Sequence, residues 1–501
     1  MTCIGVRFGW TLIRPIEPTD VLAISFYSSR IQEMSFRSRI VSLGPSLCEV
    51  SHVSKNVLFS RLRVLDWHPL WDAGWNLDFV LNSIGDNVTE IAGGITYCSK
   101  PTFMGVLKER LCHLSHLTLR DSYFEQDDTC ADIARFFREV LPNAKNLQEL
   151  QLMHTFQQYL NIWNLILWLP LLSKITVLEP ALPSSLSTYH KLTDVAISLD
   201  DFRFLCRILA DVRFPNLQNL RLTFLQPCNV GAVRSIISSV VVACDTSPLT
   251  CLSIYCEYDD EQDGAPENPD FAEEALGIDD LRPLVHQFSK LEELNLELDC
   301  PWVLEDSAIE EIVRIWGPGL RSLCLDPGGG WSTRCITVRG LEHLALHCPR
   351  LITLGMPFDG VLPDHVRSIP AQTQADDTST SHRNDTLRRL YVGCTPLDRF
   401  TVNNMALYLS SLFPNLETIA PADRLEDQRD PLEPPMGYVG HAGQGDRTAK
   451  TLNGPFQRWE MVEAIVPILG VARKQERSAN YYLDQADQVA CLTNQSRKAL
   501  H

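Results

Sequence analysis

Leu291-Glu-Glu-Leu294-Asn-Leu296 returns after 29 residues as Leu320-Arg-Ser-Leu323-Cys-Leu325, with Ile309-Glu-Glu-Ile312-Val313-Arg-Ile315-Trp316 between them. The outer segments alternate apolar and polar residues, the signature of a short strand with one face buried. The middle segment spaces its apolar residues i, i+3, i+4 and i+7, which predicts an amphipathic helix. A strand–helix–strand step of that length falls within the 20–29 residues of a leucine-rich repeat.

The step recurs along most of the chain. Leu62-Arg-Val-Leu65-Asp-Trp67, Leu114-Ser-His-Leu117-Thr-Leu119, Leu147-Gln-Glu-Leu150-Gln-Leu152 and Leu217-Gln-Asn-Leu220-Arg-Leu222 are further clear copies. Taking the first apolar position of each gives Ile31, Leu62, Val88, Leu114, Leu147, Leu172, Leu192, Leu217, Leu249, Leu291, Leu320, Leu351, Leu387 and Leu416. Breakers such as Phe214-Pro215-Asn216-Leu217 and Phe413-Pro414-Asn415-Leu416 close the predicted helices before the next strand. The expected fold is α/β: a leucine-rich-repeat solenoid with a parallel sheet on the concave face, helices on the convex face and a C-terminal capping helix.

Composition sets limits. The 501 residues carry 44 basic and 62 acidic side chains, a formal charge of −18, which argues against nucleic-acid backbones and anionic membranes as partners. Eleven acidic residues and no Lys or Arg fall between Glu257 and Asp280, either a solvated loop or an acidic docking loop for a basic partner. Sixteen cysteines are scattered without a Cys-x-x-Cys pair, and Met1 to Phe8 has no signal-peptide character. Reduced thiols in the cytoplasm or nucleus are expected, so the sequons at Asn87, Asn384 and Asn494 have no route to glycosylation. The longest apolar stretch, Ile162 to Leu172, contains Asn164 and Pro170 and is too short to span a bilayer.

Ile336-Thr-Val-Arg-Gly-Leu341-Glu-His-Leu344-Ala-Leu-His-Cys348-Pro349-Arg-Leu351 resembles the cysteine-containing repeat of F-box/leucine-rich-repeat proteins. The wider layout resembles the large fungal F-box-like families. Pro18-Thr-Asp20 with Phe26-Tyr27-Ser-Ser-Arg30-Ile31 is similar to the segment such proteins place after the F-box, although Val21 stands where Trp is usual. Trp459-Glu-Met-Val462-Glu-Ala-Ile465-Val466 resembles their final capping helix. The F-box itself, a helical module that contacts a Skp1-type adaptor, is missing: the residues before Pro18 hold no Leu-Pro and no helical period.

The expected layout is a post-F-box segment at 1–30, a solenoid at 31–420, a flexible Pro/Gly linker at 421–455 and a helical cap and tail at 456–501. The solenoid is interrupted by the acidic insertion 257–280 and by a polar stretch, 370–386, read as a disordered loop. No cofactor or metal is expected. His343, His347 and Cys348 have metal-like spacing but no further ligand nearby, and Cys244, Cys251 and Cys256 match no common zinc spacing. The glycines at 328–330 and 437–445 lack the strand, helix and lysine of a phosphate cradle. No enzyme signature emerges. Trp67, Trp71, Trp75 and Trp331 follow strands and could form a recognition rim or cover the solenoid's open end.

The resemblance implies the substrate receptor of an SCF-type ubiquitin ligase, holding a target protein on the concave face; a Skp1-type adaptor would join only through a restored F-box. A stand-alone leucine-rich-repeat scaffold or inhibitor is the alternative. Register places Trp67, His68, Arg120, Asp121, His154, Arg221, Asp326 and Trp331 at or beside solvent-facing strand positions, where they are expected to contact the target.

Overall fold

The computed structural model describes residues 26–27, 29–36, 59–67, 85–94, 105, 108, 111–120, 130–153, 162–178, 180–183, 185–224, 226, 228–256, 275–298, 300–327, 336–362, 383–393, 395–398, 400–421, 457–475 and 478. The chain is mixed α/β, with a large parallel sheet of fourteen strands that does not close into a barrel, consistent with a repeat solenoid. Contacts divide it into two compact units: Met1–Leu225 with Val242–Pro248, and Gln226–Val241 with Leu249–His501.

The first unit contributes β1 (Glu33–Phe36), β2 (Val64–Trp67), β3 (Glu90–Gly94), β4 (His116–Arg120), β5 (Glu149–Met153), β6 (Lys174–Leu178), β7 (Asp194–Leu199) and β8 (Asn219–Phe224). Its helices are α1 (Cys130–Glu139), α2 (Ile162–Trp168) and α3 (Phe202–Asp211). Parallel register puts Leu65, Ile91, Leu117, Leu150, Ile175, Val195 and Leu220 opposite one another, strand after strand. Every one is buried. The first apolar position of each repeat forms a second buried column, Leu62, Val88, Leu114, Leu147, Leu172, Leu192 and Leu217. Fully burying one such side chain stabilises the fold by about 1.5–3 kcal/mol, so identical spacing in successive repeats enforces the register.

The repeat between β6 and β7 departs from the expected strand–helix alternation. Among the described residues between β6 and β7 there is no helix; Ser187–Thr188 instead pairs in parallel with Val212–Arg213. This repeat is the shortest, Leu172 to Leu192, and it crosses the layer with extended chain. Trp163 of α2 anchors it: its indole N–H donates to Ala181 O at 2.7 Å, and its ring packs with Tyr189 and Phe214.

The second unit contributes β9 (Cys251–Cys256), β10 (Glu293–Glu297), β11 (Ser322–Leu325), β12 (Thr353–Gly355), β13 (Arg389–Gly393) and β14 (Thr418–Pro421). It carries most of α4 (Val230–Ala243), then α5 (Ile278–Gln287), α6 (Asp306–Trp316), α7 (Val338–His347), α8 (Val402–Leu412) and α9 (457–475). Leu252, Leu294, Leu323, Leu354, Leu390 and Ile419 repeat the buried column. In α6, Ala308, Ile309, Ile312, Val313 and Trp316 are buried, as the spacing predicts. No helix among the described residues is long and apolar enough to cross a membrane.

Three local devices set the repeat. Asn87, Asn146, Asn216 and Asn415 each precede the first apolar position and donate from Nδ2 to a carbonyl two residues before the same position of the preceding repeat: Ser60, Cys112, His190 and Asp385. The Ile336-Thr337 motif places Ile336 in the core and Thr337 at the N-cap of α7, where its hydroxyl accepts the Arg339 N–H. Asp306 of α6 accepts both the N–H and the O–H of Thr337, at 2.8 and 2.6 Å. Arg213 donates to the last carbonyls of α3, at Leu209 and Ala210.

Two boundaries move. The stretch 257–280 is described only from residue 275. There Leu276 bridges to Trp302, and Asp279 and Asp280 start α5, whose N-terminal dipole favours acidic side chains, rather than ending a loop. Of the polar stretch 370–386, residues 370–382 lie outside the described residues and 383–386 within them. Asn384 is buried, its Nδ2 donating to Cys348 O and its Oδ1 accepting from the Thr386 and Leu387 amides. The linker 421–455 lies outside the described residues apart from Pro421. In α9, Trp459, Val462 and Val466 are buried against the last repeat.

Candidate functional site

Alternate residues along each strand point away from the core and line up across the sheet. In the first unit one row reads Glu90, His116, Glu149, Lys174, Asp194, Asn219, and the next reads Asp66, Ala92, Thr118, Gln151, Thr176, Ala196, Arg221. The first row is charged. His116 lies 3.9 Å from a Glu90 oxygen and 3.7 Å from one of Glu149, and Asn219 donates to Asp194 at 2.6 Å. The second row is small and neutral between its charged ends, a flat strip that another backbone can approach.

Arg120 and Asp66 join across that strip. The Arg120 guanidinium donates to Asp66 Oδ1 at 2.8 Å from two strands away, about 9–10 Å at ordinary strand spacing. The intervening strand, Glu-Ile-Ala-Gly-Gly, has only Ala92 and glycine at the crossing, so nothing obstructs the span. Both partners are largely sheltered from solvent, so the pair is held better than an exposed one. Arg221 occupies the Asp66 row on β8, half-buried.

Among the described residues, the strands of the second unit present tyrosines on their outward face. Asn295 of β10 donates from Nδ2 to the Tyr255 hydroxyl at 3.0 Å and to Glu297 Oε1 at 3.1 Å, tying β9 to β10. On the same row stand Cys324, Gly355 and Tyr391. A Cβ on Gly355 would lie 2.9 Å from Cys324 Sγ and 3.4 Å from Tyr391 Cβ, so those two side chains share the space above the glycine. Burial, reinforced by Glu297, pushes the Cys324 thiol up to about 12, which keeps it protonated at neutral pH. Burial, then Cys324, raises the Tyr391 phenol as well. Tyr255, Asn295, Glu297 and Tyr391 are each half-buried, presenting fixed rings and polar edges to solvent. The Asn295 Nδ2 is satisfied while its buried Oδ1 has no partner, and tyrosines beside such a fixed amide are the composition of a recognition surface.

Of the eight residues expected at the binding face, Arg120 and Arg221 lie on it. Asp326 does not. It is buried, with φ +45°, and its carboxylate accepts the Cys300 N–H at 3.1 Å and the Trp302 indole N–H at 3.2 Å. β11 ends at Leu325, so strand alternation no longer applies, and the left-handed turn directs the side chain inward. Trp67 ends β2, but its side chain lies outside the described residues, as do His68, Asp121, His154 and Trp331. Tyr255, Asn295, Glu297 and Tyr391 were missed. The signal was available: each alternates with a buried repeat residue on one of the regular strands.

Among the described residues no group of three or more His, Cys, Asp or Glu side chains could hold a metal ion. The His343 and His347 rings stack with centroids 6.4 Å apart, while Cys348 is buried at the end of α7. Cys256 turns its thiol to Gln226 O at 3.1 Å.

No family model matches the chain, and no curated protein does. Among solved structures, the chain is similar to the crystal structure of the Rad7 and Elc1 complex in yeast, at 16% identity. That match covers 75% of this chain and 81% of the other, with a TM-score of 0.37.

Proposed function

We propose that this chain is a protein-binding module that holds a target on the solvent face of its sheet, as the substrate receptor of an SCF-type ubiquitin ligase. The observation that carries the binding reading is the Tyr255–Asn295–Glu297 cluster with Tyr391. β9 and β10 project the first three groups side by side, and β13, three strands from β10, adds Tyr391 in register on the same face. The ligase assignment rests on the resemblance of Ile336–Leu351 to the F-box/leucine-rich-repeat pattern. In that role the chain performs no chemistry; tethering raises the effective concentration of the target near the transferring enzyme. The nine described cysteines are all free thiols, which supports a reducing compartment, cytoplasm or nucleus.

The test is affinity purification from the native host of the full gene product, alongside Y255A/Y391A and with quantitative mass spectrometry. A specific target is expected to fall about tenfold or more in the double variant, since hot-spot residues contribute about 2 kcal/mol or more each, while the melting temperature holds. Co-purification of a Skp1-type adaptor supports the ligase role. A retained target without an adaptor leaves the stand-alone scaffold, and a target indifferent to both tyrosines overturns the binding face.

A further inference from the structure

The turns entering the first five strands border a shallow, open groove of about 620 Å³ whose lining includes Arg61, Arg63, Asp86, Asn87, His113 and Asn146. We infer that this groove is a second docking site, separate from the sheet face, for an acidic peptide segment of a partner protein.

The sequence builds it simply. Leu62 is fully buried as the first apolar position of its repeat, so Arg61 and Arg63 flank it and project into solvent. Neither guanidinium makes an ion pair or hydrogen bond among the described residues. That is unusual in a chain with 18 more acidic than basic residues, where an exposed arginine has carboxylates to choose from. Among the described lining residues Asp86 is the one carboxylate, so two guanidiniums leave the groove positive. Asn87 and Asn146 are fixed by their bonds to Ser60 O and Cys112 O, which makes the floor rigid and polar.

Two exposed arginines two residues apart form a fork suited to carboxylate oxygens, each guanidinium offering parallel N–H donors. The charge of the whole chain narrows the ligand. A polyanion such as nucleic acid meets −18 of like charge beyond the groove, whereas a peptide with a few Asp or Glu side chains engages only the positive lining. The site stands independently of the sheet-face reading, because its residues lie on turns of the first unit and none of them belongs to the tyrosine cluster.

The experiment is fluorescence anisotropy on the full chain with a labelled hexaglutamate peptide, its hexaglutamine counterpart and a labelled single-stranded oligonucleotide. The glutamate peptide is expected to bind, more weakly as salt rises from ~0.05 to ~0.2 M, and the glutamine peptide not to. R61E/R63E is expected to weaken binding at least about tenfold with an unchanged melting temperature, whereas Y255A/Y391A leaves it intact. Equal binding of both peptides, survival of binding in R61E/R63E, or an oligonucleotide that binds as well through the same arginines overturns the proposal. A lowered melting temperature in R61E/R63E is resolved by R61Q/R63Q, which must reproduce the loss.

Discussion

Glycine shows how sharply single positions are constrained. At Gly340 a Cβ would sit 2.3 Å from Ile336 Cγ2 and 2.8 Å from Asp306 Oδ1, where α7 starts against α6. At Gly393 it would sit 1.8 Å from the Pro327 carbonyl oxygen, and φ is +57°. At Gly231 in α4 the nearest atom is a side-chain oxygen 3.5 Å away. Gly340→Ala should cost about 1–3 kcal/mol of overpacking. Gly393→Ala should cost more, because backbone must move and a left-handed alanine adds about 1–2 kcal/mol. Gly231→Ala should be neutral or stabilise by up to about 1 kcal/mol, as alanine favours helix. Urea midpoints order the three, and equal midpoints for all would sink the argument. The same scale explains the failure at Asp326. Alternation in Leu320–Leu325 is legible in the sequence, but the residue where the strand stops is not, and one left-handed φ reversed the side chain's direction.

Elements were legible where burial repeats and obscure where it does not. Within the helical cap and tail expected at 456–501, a helix forms over 457–475, because Trp459, Val462 and Val466 recur on the face that packs against the last repeat. The missing helix between β6 and β7 had no such signal, since a 20-residue spacing leaves extended and helical crossings both open. Asn384 hid within a polar stretch because its single buried amide replaces no apolar residue. For α9 the consequence is testable. Its Trp459 indole donates to Thr395 O at 2.9 Å and packs edge-on to Phe358, while Glu463 accepts the Ile419 N–H of β14 at 3.2 Å. Trp459→Ala should therefore cost about 3–5 kcal/mol and uncover a strand edge that templates aggregation. Ile468→Ala, at 69% exposure, should stay within about 0.5 kcal/mol. Thermal melts with light scattering check both, and a silent Trp459 variant would remove α9 from the fold's stability.

At the scale of the whole molecule, a core built from repeated apolar columns leaves nowhere wet for a cysteine that falls within it. Cys244 and Cys348 fall within that core, Cys324 is covered on the sheet face beside Tyr391, and desolvation pushes each thiol up to about 12. In the unfolded chain the same thiols titrate near ~8.5. The folded form therefore holds its protons while the unfolded form loses them as pH passes the unfolded value. Since the unfolded state then binds fewer protons, stability is fully present below ~8.5 and declines as pH rises toward about 12, by on the order of 1 kcal/mol per thiol per pH unit. Melting temperature should thus fall between pH 8 and 10, and replacing the three cysteines by alanine should flatten that decline even where it lowers stability at neutral pH. A thiol reagent at pH 8 should label exposed Cys112 while sparing the three until the fold opens. An alkaline slope unchanged in the triple variant would assign the effect to other groups, and rapid labelling of Cys324 in the native state would show that the sheet face above Gly355 opens to water.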